Sequence, residues 1–391
     1  MIYEIPIEEF HQRISALQEN MKSAGYDLLL AYGNEAEPQF VRYLSDYWPS
    51  FETAGVLVPA QGEPLLLIGP ESFTYAADRS KISQIRLLKA FRESSDPEYP
   101  GKKLDDFQSV IDELIGGGRL KRFGVAGLSL MTHGVYEALT AALNHYGAIK
   151  IEKADDLVSR LRMIKSENEL NCMRAAADIT RQTFNYLLAH IKTGMTETQV
   201  VGLALGKMHE LGAERESYPL WVLTGKGSNQ AISRPRHKVI QPGDMTFIQI
   251  GARVAGYASS IGRPVVFGKA ADWQKQLIEA GYKGQQAVIR NLKAGVPASF
   301  VAQKHIETMT GLGYGDWLLY GPCHGNGLME GEAPWIETDA DWILKQNMTF
   351  CVDIFLGDNK TETGLRIEDT VRITGEGIEP LTNFPCDLFE L

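Results

Sequence analysis

Three stretches decide the reading of this chain: Tyr320-Gly-Pro-Cys-His324-Gly-Asn-Gly-Leu328, Met348-Thr-Phe-Cys-Val-Asp353-Ile-Phe-Leu356 and Gly364-Leu-Arg-Ile-Glu368-Asp-Thr-Val-Arg-Ile373. In the first, a lone histidine stands among glycines, whose missing side chains let the backbone come close to whatever the imidazole faces. The other two are apolar runs rich in β-branched and aromatic residues, and both predict strands. Each strand carries a carboxylate where a buried position would hold an apolar side chain, and a buried acid requires a partner. His324, Asp353 and Glu368, drawn from three neighbouring elements, are therefore the candidate catalytic set.

The rest of the composition bounds what such a site serves. A chain of 391 residues is long for one core, so two domains are expected. A formal net charge of -10 with no basic stripe argues against nucleic acid as a partner. No apolar run reaches the roughly 18 residues that a membrane span needs, and the N-terminus has no basic or apolar leader segment. Cys172, Cys323, Cys351 and Cys386 lack metal-type spacing and suit reduced thiols, so a cytoplasmic protein is expected.

From the N-terminus onward, helical spacing of Phe10, Ile14, Leu17 and Met21 predicts a helix over 7–25. Strands are predicted at 27–32, 53–59, 63–69 and 122–126, alternating with helical segments at 103–115 and 133–146, which makes 1–155 a small α/β domain. Its aromatic loop, Tyr43 to Phe51, reads equally as core, dimer contact or ligand lid. The second domain, 156–391, opens with a continuous helical stretch from Val158 to His190. A second helix follows, with Thr196 as its cap and Gln199 three residues on. Strands at 217–224 and 245–252 and helices at 272–294 and 298–312 lead into the three decisive stretches.

These residues resemble a known family, the pita-bread hydrolases, which include methionine aminopeptidase, aminopeptidase P, prolidase and creatinase. The resemblance is carried by Arg162-Met-Ile-Lys165-Ser-Glu-Asn-Glu169, Gly194-Met-Thr-Glu197, Gln241-Pro-Gly243-Asp244, Gln249-Ile-Gly251-Ala with Gly256-Tyr257, His324-Gly-Asn-Gly327-Leu, Glu332-Ala-Pro334 and Gly364-Leu-Arg366-Ile-Glu368-Asp369. It implies an α+β chain: a pita-bread C-terminal domain behind a smaller creatinase-type N-terminal α/β domain, with members that pair as homodimers.

Function belongs to the site rather than the fold. The metallopeptidases of this family hold two divalent ions with two aspartates, one histidine and two glutamates. By position, the aspartate slots here are Gln249 and Ser260, the histidine is His324, and the glutamate slots are Asp353 and Glu368. A further family histidine falls at Gly331, the one on the loop before the first aspartate strand falls at Ile232 or Ser233, and creatinase's principal catalytic histidine falls at Ile232. Two neighbouring cations need several anionic ligands to offset their repulsion, so no dinuclear site is expected. The favoured expectation is a creatinase-like hydrolase without metal or other cofactor, acting on a C–N bond of a small polar guanidino, ureido or amide substrate. In it, adjacent carboxyls share a proton and His324 passes protons to a leaving nitrogen. Gln249, Ser260, Arg263, Glu332, Trp335 and His237 are the candidate substrate-binding residues. Two alternatives stand beside it. One is a mononuclear Xaa-Pro-peptidase-like amidase or lyase with a single divalent ion at His324, Asp353 and Glu368, the ligand count of a catalytic zinc site. The other is a non-catalytic protein that binds a ligand or partner. Cys323 is not expected as a nucleophile, because adjacent strand residues face opposite ways.

Overall fold

A computed structural model describes residues 3–391. The chain divides into two compact units, Ile5–Arg162 and Met163–Leu391. No helix among the described residues is long and apolar enough to cross a membrane.

The first unit runs α1 (Ile7–Ala24), β1 (Leu28–Gly33), α2 (Gln39–Ser45), β2 (Ala54–Pro59), β3 (Leu65–Ile68), α3 (Phe73–Arg79), β4 (Ile85–Leu87), α4 (Phe107–Ile115), β5 (Phe123–Ala126), α5 (His133–Asn144), β6 (Ile151–Lys153) and α6 (Asp155–Met163), the last of which crosses the boundary. Its six strands lie in the order β4-β3-β2-β1-β5-β6. Strand β1 is parallel to β5 and antiparallel to β2, and it is buried along its whole length, which is why it reads as a continuous apolar run. Helix α4 starts in a capping box made by Asp106 and Ser109. In the aromatic loop, Tyr43 and Tyr47 belong to the core, whereas Phe51 is 83% exposed.

The second unit opens with α7 (Glu167–His190) and α8 (Glu197–Glu210), then β7 (Arg215–Glu216), β8 (Trp221–Thr224), β9 (Met245–Ile250), β10 (Ala252–Val254), β11 (Tyr257–Ala258) and β12 (Ile261–Val266). Helices α9 (Asp272–Ile289) and α10 (Ala298–Gly311) follow. Strands β13 (Cys323–Gly325), β14 (Glu332–Ile336), β15 (Thr349–Asp358), β16 (Thr363–Ile373), β17 (Ile378–Pro380) and β18 (Phe389–Glu390) complete it. The main sheet has the order β14-β13-β15-β16-β12-β9-β8, with β17 on β16 and β18 on β12.

One expectation about this unit fails locally. The stretch from Val158 to His190 is two helices, because Ser166 caps α7 through Glu169 and ends the preceding turn. Lys165, in the break, binds the Asn347 carbonyl through its backbone N–H and Glu332 through its ammonium, at 2.9 Å each. The Thr196–Gln199 capping box of α8 is present as its sequence spacing predicts.

Alternation along the long strands sorts their side chains onto two faces. Val352, Ile354, Leu356, Leu365, Ile367 and Val371 join Leu277, Ile278, Val301 and Met309 from α9 and α10 in one apolar cluster. Phe184, Leu187, Val200 and Ala204 from α7 and α8 cover Val222, Ile248, Ile250 and Val265 in another. The alternate positions on β9, β15 and β16, namely Gln249, Cys351, Asp353, Arg366, Glu368 and Thr370, are polar and buried or nearly so. They share the opposite face of the sheet, and the site is built there.

Candidate metal centre

Register brings the histidine and acids together. Asp353 on β15 lies directly opposite Glu368 on β16, and Cys351 lies opposite both His324 on β13 and Thr370 on β16. Directly opposed residues have their side chains on one face and within reach of each other. Ligand atoms of His324, Glu330, Cys351 and Glu368 all fall within 4.8 Å of one another. His324 Nε2 is 3.7 Å from Glu330 Oε1 and 3.8 Å from Glu368 Oε1. Glu368 is fully buried; its Oε2 accepts the side-chain amide of Gln249, while its Oε1 has no hydrogen-bond partner. Burial, then the neighbouring Glu330 and Asp353 charges, push the Glu368 carboxyl well above the usual range. Burial raises Glu330 in the same direction.

Asp353 faces elsewhere. Its Oδ1 is 3.0 Å from Arg366 Nε, and its Oδ2 accepts the Tyr320 hydroxyl at 2.7 Å. Arg366 also donates to Gln249 Oε1 at 2.7 Å and to the Tyr320 oxygen. The guanidinium lies over the faces of Trp221, Phe355 and Tyr320, at 4.8, 5.4 and 5.8 Å from the ring centroids. Burial works against its charge, but Asp353, Tyr320 and Glu368 outweigh that and hold it protonated.

The substrate-binding candidates have diverse surroundings. Gln249 bridges Glu368 and Arg366. Ser260 Oγ is hydrogen-bonded to the Tyr218 hydroxyl at 2.8 Å. The Trp335 ring, 40% exposed, sits 5.1 Å from the His324 ring and forms an edge contact with Tyr320. Glu332 is buried against Lys165, and Arg263 is on the other face of the sheet, donating to Asp369 at 2.7 Å. His237 is exposed and approaches the Thr198 hydroxyl at the start of α8. The basic loop that carries it is anchored there by Arg236, which binds the buried Glu197. Cys323 lies in the apolar cluster behind the sheet.

The glycines around His324 answer to the protein itself. A Cβ on Gly325 would come within 2.7 Å of the Glu332 carbonyl, and one on Gly327 within 2.6 Å of the Glu332 carboxylate. Sequence reading passed over Cys351 and Arg366 as site residues. Both stand two positions before an acid already singled out, and the two-residue strand period puts them on that acid's face.

Residues 171–375 match the model of metallopeptidase family M24, and residues 13–164 match the creatinase/prolidase N-terminal domain. The chain belongs to metallopeptidase family M24, and its α+β architecture is the pita-bread arrangement behind a creatinase-type domain. It is 29% identical over 287 residues to an uncharacterized peptidase of Bacillus subtilis, covering 73% of this chain and 79% of that one. It is 26% identical over 330 residues to a Xaa-Pro dipeptidase of Pyrococcus horikoshii, covering 84% and 89%. Among solved structures, a prolidase from Thermococcus sibiricus superposes with a TM-score of 0.84 at 22% identity, over 98% of this chain and 99% of that one. The Xaa-Pro dipeptidase from Bacillus anthracis gives 0.81 at 23%, over 98% and 100%. At that identity these superpositions establish the fold.

Two expectations are thereby corrected. A metal-independent, creatinase-like hydrolase does not agree with membership of a metallopeptidase family whose relatives here include Xaa-Pro dipeptidases. The expectation of no metal or other cofactor fails with it, and an imidazole, a thiol and two carboxylates cluster within 4.8 Å of one another. The residues offer one ion a donor set: four donor atoms lie within 4.8 Å of one another, and Glu368 Oε1 is an orphaned buried oxygen. They do not fit two. Where the family resemblance puts aspartates, this chain has a neutral amide and a hydroxyl, and the Arg366 guanidinium lies between Gln249 and Asp353. Asp353, named in the single-ion alternative, is paired with that guanidinium, and Glu330 takes its place near His324.

Proposed function

We propose that this chain is a metal-dependent, Xaa-Pro-peptidase-like amide hydrolase that works with one divalent ion held by His324, Glu330 and Glu368. The observation that carries this reading is that donor atoms of those three side chains lie within 4.8 Å of one another, beside a buried Glu368 Oε1 that has no hydrogen-bond partner. When bound, such an ion polarises a scissile carbonyl and lowers the pKa of a coordinated water. The chain's own residues prepare the place. Gln249 fixes Glu368 Oε2, so Oε1 is aimed at His324. Arg366 and Tyr320 hold Asp353 and keep that acid charge matched by a guanidinium. Trp335 flanks the imidazole and is itself braced by its edge contact with Tyr320. Glu330, 14% exposed on the connection between β13 and β14, is the carboxyl through which a proton exchanges with solvent.

The relatives named Xaa-Pro dipeptidase support a small dipeptide with proline in second position as the substrate class. Resemblance to creatinase and prolidase supports a homodimer, and widely spaced cysteines support a cytoplasmic setting. The test is hydrolysis of Xaa-Pro dipeptides beside proline-free controls, before and after chelation and after reloading with Zn2+, Co2+ or Mn2+. Cleavage that is lost with the chelator and restored by about one equivalent of ion is the expected result. Equal turnover in the metal-stripped protein would overturn the proposal.

A further inference from the structure

The Cys351 thiol is the one donor in the cluster that the function above does not use. It is fully buried on β15, with His324 and Thr370 directly opposite it on the two flanking strands. A buried cysteine is more often a small apolar filler. This one has polar neighbours instead. Asn326 Nδ2 donates to its sulfur at 2.9 Å, and the Thr370 hydroxyl is 3.8 Å away. The Asn326 main chain is fixed in turn, its N–H bonded to the Thr349 carbonyl at 3.1 Å and its own carbonyl accepting the Thr349 hydroxyl, and its Nδ2 is also 3.4 Å from the Thr370 hydroxyl. An amide N–H aimed at a sulfur is the kind of outer contact that orients and stabilises a thiolate ligand. Independently of the thiol, the fully buried Glu368 Oε1 points into the same space without a hydrogen-bond partner.

Building on the single-ion reading, we infer that Cys351 Sγ is a metal ligand and that the site selects Zn2+ or Co2+ over Mn2+ or Mg2+. The donor set is then one imidazole nitrogen, one thiolate sulfur and two carboxylate oxygens. Thiolate and imidazole suit borderline-soft ions such as zinc, whereas manganese and magnesium favour sites built of oxygen alone. On binding, the S–H bond breaks, its proton passes to solvent and a sulfur–metal bond forms, with no change of oxidation state.

Cobalt absorption tests this without any assay of turnover. Full-length protein carrying Cys386→Ser, which removes the exposed thiol, is stripped of metal and titrated with Co2+. The expected result is visible d–d bands together with an intense near-ultraviolet sulfur-to-cobalt charge-transfer band. Cys351→Ser, added to this background, removes the charge-transfer band and leaves the d–d bands. Asn326→Ala, which keeps the thiol and removes its N–H donor, shifts the band and weakens cobalt binding by about 10–100-fold. Competition experiments should show a Zn2+ over Mn2+ preference in the parent that falls by at least about tenfold in Cys351→Ser; an undiminished preference would count against the thiolate. Cobalt bound with d–d bands but no charge-transfer band would overturn the thiolate ligand and leave the single-ion site standing. No cobalt bound at all would overturn both.

Discussion

Arg366 Nε lies 3.0 Å from Asp353 Oδ1, and both side chains are only 4% exposed. This contact ties the acid to a fixed guanidinium and leaves Glu330, not Asp353, beside His324. A buried charge without its partner is expensive, even where the pair as a whole adds little stability. Arg366→Met should therefore lower unfolding stability by about 3–5 kcal/mol. The double variant Arg366→Met with Asp353→Asn should lose clearly less than the sum of the two single changes. Urea unfolding of the metal-stripped proteins measures this, and simple additivity would show that the pair is not coupled.

Ion stoichiometry should be one per chain, counted by elemental analysis of protein equilibrated with excess Zn2+ and then desalted. His324→Ala and Glu368→Gln should abolish retention. Gln249→Ala removes the amide that fixes Glu368 Oε2 and, with it, an acceptor of Arg366, so it should weaken binding by about 10–100-fold. Two tightly retained ions in the unmodified protein would refute the single-ion geometry.

A separate pH effect comes from His305 on α10, which is 1% exposed and held neutral by burial, its pKa pushed down to about 4. Its folded pKa is below the ordinary value of about 6.5, so below that pH the unfolded chain takes up the proton first. This contribution is complete above pH 6.5 and is lost as the pH falls from there toward 4, to a total of about 3 kcal/mol. His305→Gln should flatten that part of the stability profile, as read from denaturant midpoints between pH 7 and 4. An unchanged slope in the variant would assign the acid sensitivity to other groups.

Trp335 forms an exposed rim beside His324 and Tyr320. Trp335→Ala should raise KM for a proline dipeptide several-fold, by about 1 kcal/mol of lost binding, with kcat little altered. Its stability should change by no more than about 1 kcal/mol, because the ring is not core. A fall in kcat at constant KM would place the indole in the chemistry instead.

Much of the fold was legible because its signals are local. Leu28–Gly33, Ala54–Pro59 and Phe123–Ala126 read as strands from unbroken apolar runs, and Thr196 announced α8 by a capping spacing of three. The break between α6 and α7 was missed, because the apolar periodicity carries on through Ile164 while the competing cap lies in polar residues. Glu332, Arg263 and His237 looked like site residues by type and place in the chain. Their partners are Lys165, Asp369 and Thr198, which only folding brings near.

The sequence by itself determined the family and the α+β architecture, and it carries the neutral Gln249 and Ser260 where the family resemblance puts aspartates, because these are matters of residue identity and order along the chain. Tertiary structure alone decided which donors meet. Cross-strand register sets Cys351 against His324, the β13–β14 connection brings Glu330 to the imidazole, and Arg366 draws Asp353 aside. The physical reason is range. Strand and helix signals act over a few residues, whereas a metal site is a matter of distances of a few ångströms between atoms far apart in the chain, set only once the sheet has paired.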